Sequence, residues 1–205
     1  MEQLKDNPER KEDIIATAQK WFGLYGFKKT SMIDIANDLR MSKGLLYYYF
    51  PDKEHLYMSV VQKEVTEFKS EVSAQLAEIS EPIERLQKFI AIRLDHFRKL
   101  LNLSRFRLGD MGELKSAMTE TWKSLHDYEK SVIVEILISG NESQQFNVNN
   151  PQKIAELLFD LLRGIRLGMI KDKQLFYLDQ QDYELLQDKT QTFLDIFIKG
   201  LACKD

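Results

Sequence analysis

Residues 42–53 read SKGLLYYYFPDK, which sets a lysine, a glycine and three consecutive phenols side by side. These types suit recognition better than bond-making. Lysine brings charge and N–H donors to phosphate or base edges, glycine lets a backbone approach closely, and a phenol reaches phosphate or a thymine methyl. A helix buries only one side of such a run. At about 100° per residue, Leu46, Tyr49 and Phe50 share one face, Gly44 and Tyr48 lie opposite, and Leu45 and Tyr47 flank it. Tyr49 is therefore expected to point inward and Tyr48 outward.

Catalysis and metal binding have little to work with. His55, His96 and His126 stand singly, and no HxxxH, GxSxG or phosphate-binding glycine loop is present. Asp95-His96 and His126-Asp127 lack the spacing of a ligand set, and the single cysteine, Cys203, can form neither an internal disulfide nor a thiolate cluster. No enzyme, metal or cofactor is expected. Phe89, Phe97, Leu101, Phe106, Met111, Trp122 and Tyr128 supply large side chains for a small-molecule pocket. The same stripe at helical spacing would equally fill a core. Arg93, Arg98, Arg105 and Arg107 are candidates to clamp an anion.

The charge balance narrows how nucleic acid could be bound. A net charge of -3 argues against coating a polyanion through bulk positive charge. A local patch remains, because residues 26–53 hold Lys28, Lys29, Arg40, Lys43 and Lys53 against Asp34, Asp38 and Asp52. The opening MEQLKDNPERKED is charged where a secretion signal is apolar, and no later run approaches the roughly 18 apolar residues of a membrane span. A cytoplasmic protein with no membrane partner is expected.

The elements that must position these residues read as helices almost throughout. Four prolines, nine glycines and apolar positions recurring at three and four give no strand pattern. The first helix carries Ile14, Ile15, Ala18, Trp21, Phe22 and Tyr25 on a broad face, and Gly26 closes it. Ser31 caps a short second helix, with Asp34 placed for a capping box and Ile35, Ala36 and Leu39 inward. A third starts after Ser42 and stops near Phe50, because Pro51 disfavours helical geometry in the residue before it. Asp52 caps a fourth. Longer helices are expected over 52–79, 82–103, 105–118, 120–139, 151–171 and 180–202, with Gly140-Asn141 as a helix end and 141–150 as the clearest loop.

Two short helices joined at Arg40-Met41 have the format of a helix-turn-helix, whose second member enters the major groove by its amino-terminal end, where Lys43 and Gly44 sit. In the last third, the 151–171 helix is apolar on two sides, with Ile154, Leu157, Leu158, Leu161 and Ile165 in one stripe and Phe159, Leu167 and Ile170 further round. Gly164 and Gly168, four apart, permit close helix approach. The 180–202 helix adds Phe193 and Phe197. These two helices would form either a four-helix dimer interface or the core of a monomer.

The segment from Ile14 to Leu56, with AxxxF at 18–22, GF at 26–27, TS at 30–31, IA at 35–36, SKGLLYYYF at 42–50 and KEHL at 53–56, resembles the DNA-binding domain of TetR-type transcriptional repressors. The resemblance implies an all-α chain of about nine helices. Residues 1–51 would form a three-helix helix-turn-helix domain, joined by a long helix to a ligand-binding and dimerisation domain over 52–205. It implies a homodimer that binds a double-stranded DNA operator and answers to a small-molecule effector. Thr30, Ser31, Tyr47, Tyr49 and Lys53 would hold phosphates, Lys43, Gly44, Leu45 and Tyr48 would face base edges, and Ser42 belongs to the same DNA-binding set. Phe159, Gly164, Gly168, Phe193 and Phe197 would form the dimer interface. Arg40 stands where members often have glycine, so a left-handed turn there carries strain. The alternative reading is a helical interaction module whose helix-turn-helix no longer binds DNA.

Overall fold

The structure, a computed structural model, describes residues 7–104, 112–173 and 177–202. Eight α-helices make it up: α1 Pro8–Lys29, α2 Met32–Asp38, α3 Lys43–Tyr49, α4 Lys53–Ala77, α5 Pro82–Ser104, α6 Gly112–Glu142, α7 Pro151–Lys173 and α8 Gln180–Leu201. The expected helix over 105–118 begins outside the described residues, and its later part runs unbroken into the expected 120–139 helix as α6. Met118-Thr119-Glu120 contains no glycine or proline to end a helix. Eight helices among the described residues therefore replace nine.

Side-chain caps set the starts of the short helices. Ser31 and Asp34 form a full capping box at α2, Ser42 accepts from the Leu45 N–H at α3, and Asp52 accepts from the His55 N–H at α4. Each satisfies a donor that the first helical turn leaves open. Gly26 does not end α1 as expected. It kinks the helix at φ 77°, ψ 166°, open to glycine alone, and one further turn runs to Lys29.

Two non-glycine residues are left-handed, Arg40 at φ 50° and Gln144 at φ 60°. Both close a helix in the same way. Behind α2, Arg40 N–H donates to Asn37 (3.0 Å) and Met41 N–H to Ala36 (2.9 Å), while behind α6 Gln144 N–H donates to Asn141 (3.1 Å) and Gln145 N–H to Gly140 (2.9 Å). This paired closure satisfies the last carbonyls and is the Schellman arrangement. Gly140 thus lies inside α6 rather than at its end, and packing explains the glycine: a Cβ there would stand 1.9 Å from the Phe146 ring.

Two main cores share one helix. Leu56, Tyr57, Val60 and Val61 of α4 pack with Ile14, Ala18, Phe22, Ile35, Leu46 and Phe50, whereas Val65, Phe68, Val72 and Leu76 pack with α5, α6, α7 and α8. α4 is about 37 Å long at 1.5 Å per residue. It reaches from the helix-turn-helix into the larger bundle as a single rod.

The strained turn gives a direct expectation. Arg40→Gly should raise stability by about 0.5–1 kcal/mol in urea unfolding, since relief of the left-handed penalty outweighs the extra freedom glycine gives the unfolded chain. A loss of stability would show that the Arg40 side chain contributes more than its backbone costs.

Candidate functional site

The two short helices α2 and α3, with the start of α4, present the first site. Ser42, Lys43, Gly44, Tyr47 and Tyr48 are exposed on α3, while Leu45 and Tyr49 are half-buried against the core. Tyr48 is thus outward as expected, and Tyr49 packs against it at 5.6 Å between ring centres. The Lys43 ammonium sits 5.5 Å from the Tyr47 ring, so the two form one cationic, aromatic edge. A Cβ built on Gly44 meets nothing within 4 Å, and Gly44 is not among the positive-φ residues. Neither packing nor backbone therefore demands glycine here.

Two residues expected to hold phosphates are turned inward. Thr30 is 1% exposed, and its hydroxyl lies 2.9 Å from the Gly26 carbonyl and 3.2 Å from that of Trp21. The Gly26 carbonyl also accepts the Thr30 N–H at 3.2 Å. Lys53 donates to the Phe27 carbonyl at 2.9 Å and the Thr30 carbonyl at 3.1 Å, with its ammonium 4.3 Å from the Phe27 ring. Two of its three N–H groups are engaged this way. Both residues fasten the end of α1 to the starts of α2 and α4. Ser31 stays half-buried with its hydroxyl donating to Asp34 at 2.6 Å.

The second site is a cavity of about 350 Å³ among α4, α5, α6 and α7. Of the expected pocket residues, Phe97, Leu101 and Trp122 line it. Phe89 is fully buried in the bundle core, and Tyr128 packs on Phe68 with its hydroxyl donating to the Lys69 carbonyl at 3.3 Å. Phe106, Met111, Arg105 and Arg107 lie outside the described residues. Arg98 is also engaged elsewhere, 4.5 Å from the Tyr183 ring and bonded to Gln180 at 3.2 Å.

The cavity's polar groups were mostly missed, because helical spacing alone reads them as solvated. Arg93 and Glu129 form a buried ion pair at 2.6 Å, each under 5% exposed, across α5 and α6. The Arg166 guanidinium lies 4.8 Å from the Phe97 ring, and among the described residues its Nε finds no acceptor. Burial, and then the nearby Arg93, lower its pKa to about 9. His96 stacks on Phe68 at 4.3 Å, with a ring nitrogen bonded to the Glu64 backbone and Nε2 unpartnered. Desolvation first, and Lys99 second, bring its pKa to about 4, so the ring is neutral at pH 7. His126 is lowered for the same first reason. Among the described residues, no group of three or more metal-ligating side chains converges.

The expected dimer residues divide. Gly164, Gly168 and Phe193 border an open groove between α7 and α8, and a Cβ on either glycine meets nothing within 4 Å. Phe159 is 4% exposed in the bundle core, 4.8 Å from the Arg93 guanidinium. It stands about 200° round α7 from Leu157, which removes it from the outer face. Phe197 is half-buried against Phe193, their ring centres 5.8 Å apart. Leu157, Leu161 and Ile196 are 48%, 42% and 66% exposed on that side.

A family model described as bacterial regulatory proteins, tetR family, matches residues 14–60. A transcriptional regulator of known structure from Cytophaga hutchinsonii ATCC 33406 is 35% identical over 94% of this chain and 98% of its own, with a TM-score of 0.87. The HTH-type transcriptional regulator HbdR of Aromatoleum sp. (strain CIB) is 32% identical over 38% of this chain and 34% of its own. RutR of Escherichia coli O157:H7 is 29% identical over 64% of this chain and 63% of its own. The chain thus spans about a third of one of these curated relatives and under two thirds of the other.

Gly44→Ala separates folding from recognition. Urea unfolding should show stability unchanged or raised by up to about 1 kcal/mol, from helix propensity alone. Operator affinity measured by fluorescence anisotropy should fall at least tenfold (about 1.4 kcal/mol), because the added methyl occupies the space a DNA backbone or base edge would enter. Unchanged affinity would place Gly44 outside the contact.

Proposed function

This chain belongs to the TetR family of bacterial regulatory proteins, and we propose that it is a homodimeric repressor that releases its operator when a small molecule enters the α4–α7 cavity. Family membership makes it a DNA-binding transcriptional regulator; members are not enzymes. Among the described residues, no helix is long and apolar enough to cross a membrane.

One observation carries the ligand-responsive reading. Tyr57 and Val61 line the cavity and also belong to the core of the helix-turn-helix. Tyr57 lies edge-on to Phe22 at 5.1 Å and to Phe27 at 5.0 Å. Four residues further back, on the same side of α4, Lys53 holds the carbonyls at the end of α1. A molecule that fills the cavity displaces the wall on which α1 rests, and α4 carries that displacement to α3. Differential affinity for the two arrangements is what couples the sites.

On the DNA side, Lys43, Gly44, Leu45 and Tyr48 face base edges, with Leu45 suited to a thymine methyl. Ser31, Ser42 and Tyr47 hold phosphates, and Tyr49 supports Tyr48 from within. Thr30 and Lys53 position the helices instead of touching DNA. On the opposite end, Leu157, Leu161, Gly164 and Gly168 form one face of α7, beside Phe193, Ile196 and Phe197 of α8. Two such pairs related by a two-fold axis bury the exposed leucines in a four-helix interface, with the glycines allowing close approach.

Two measurements test this. Leu161→Glu should give a helical monomer by sedimentation at micromolar concentration and circular dichroism; a wild-type monomer, or a dimeric variant, removes the interface. A gel shift against the DNA flanking the protein's own gene tests operator binding. An effector that weakens that binding about 5- to 150-fold must itself bind weaker by the same factor when operator is present. Equal effector affinity with and without DNA would leave a constitutive repressor.

A further inference from the structure

The polar groups in the cavity do not cancel. Glu129 is the one carboxylate among the lining residues, and Arg93 already holds it at 2.6 Å. Arg166 also lines the cavity, is 9% exposed, and has an unpartnered Nε among the described residues. Among the described residues Arg93 and Arg163 repel it and Glu129 attracts it. A buried guanidinium so placed is destabilising unless a further anion completes it, and its planar fork matches a carboxylate. His96 stays neutral and offers Nε2 as an acceptor, so the charge that the cavity selects comes from Arg166. The remaining wall is apolar and aromatic, with Phe97, Leu100, Leu101, Trp122, Leu125 and Leu167. At about 350 Å³ the space lies near the lower end of small-molecule sites.

We propose that the cavity binds a small organic carboxylate, its head group on Arg166 and its apolar body against Phe97, Leu101 and Trp122. This deepens the reading of the cavity as the effector site and rests on it. Arg163, exposed at the rim, draws an anion toward the opening.

The test compares matched pairs on the full chain: phenylacetate with phenylacetamide, hexanoate with hexanamide, and inorganic phosphate alone, each at millimolar concentration, by thermal unfolding and calorimetry. Both carboxylates should raise the midpoint and bind at least about tenfold tighter than their amides, because the amide leaves the guanidinium unpaired. Arg166→Met should raise the ligand-free midpoint and abolish the preference. Arg166→Lys, which keeps the charge and loses the fork, should retain the preference at reduced affinity and stands in if Arg166→Met fails to fold. Equal binding of acid and amide overturns the proposal, as does phosphate binding as tightly as the carboxylates, a preference that survives Arg166→Met, or no stabilisation by either acid. Operator release is read separately: a carboxylate that binds through Arg166 without releasing DNA leaves this site standing and removes the ligand-responsive reading.

Discussion

Tyr57 packs its ring edge-on against Phe22 and Phe27, and the same residue lines the cavity. That one contact obliges α4 to serve two cores. Upstream, Leu56, Val60 and Val61 complete the core of the helix-turn-helix, which is too small to bury much apolar surface from its own three helices. Downstream, Val65, Phe68, Val72 and Leu76 anchor the same rod in the larger bundle. Leu103 of α5 and Met118 of α6 join the upstream core as well. The helix-turn-helix is therefore held by the bundle rather than tethered to it, with α1, α3 and α4 sharing one core.

Electrostatics divides between the surface and the interior. At the surface, α3 offers Lys43 beside Tyr47 on an acidic chain, so attraction to DNA is local. Inside, Arg93 is paired with Glu129, the Arg166 Nε finds no acceptor among the described residues, and His96 is neutral. Glu64 sits at the joint between the two cores. It is 4% exposed and accepts from Gln19 of α1, and among the described residues its other oxygen has no partner.

Glycines act here for different reasons. Gly26 is required by its own dihedral angles and Gly140 by the Phe146 ring lying over it. Among the described residues, nothing lies within 4 Å of a Cβ built on Gly44, Gly164 or Gly168. Those three stand where the proposed reading brings in DNA or a second copy, so the space they leave open belongs to a neighbour rather than to the fold.

The sequence by itself determined the local grammar. Caps at Ser31, Ser42 and Asp52, the stop before Pro51 and the outward Tyr48 rest on neighbours within a few residues, which spacing reports directly, whereas the left-handed Arg40 is implied only by the family resemblance. Periodicity also marked α7 as apolar on two sides, although it did not say which side Phe159 would take. Tertiary structure decided everything that depends on partners far along the chain. The resemblance makes Lys53 a phosphate ligand, whereas in the fold its ammonium donates to carbonyls 26 and 23 residues away. Arg93 finds Glu129 across 36 residues, and Arg166, on a third helix, becomes a buried charge only when α5, α6 and α7 close around it. Burial and pairing of a long charged side chain are set by which helices meet, and helical periodicity carries no information about that.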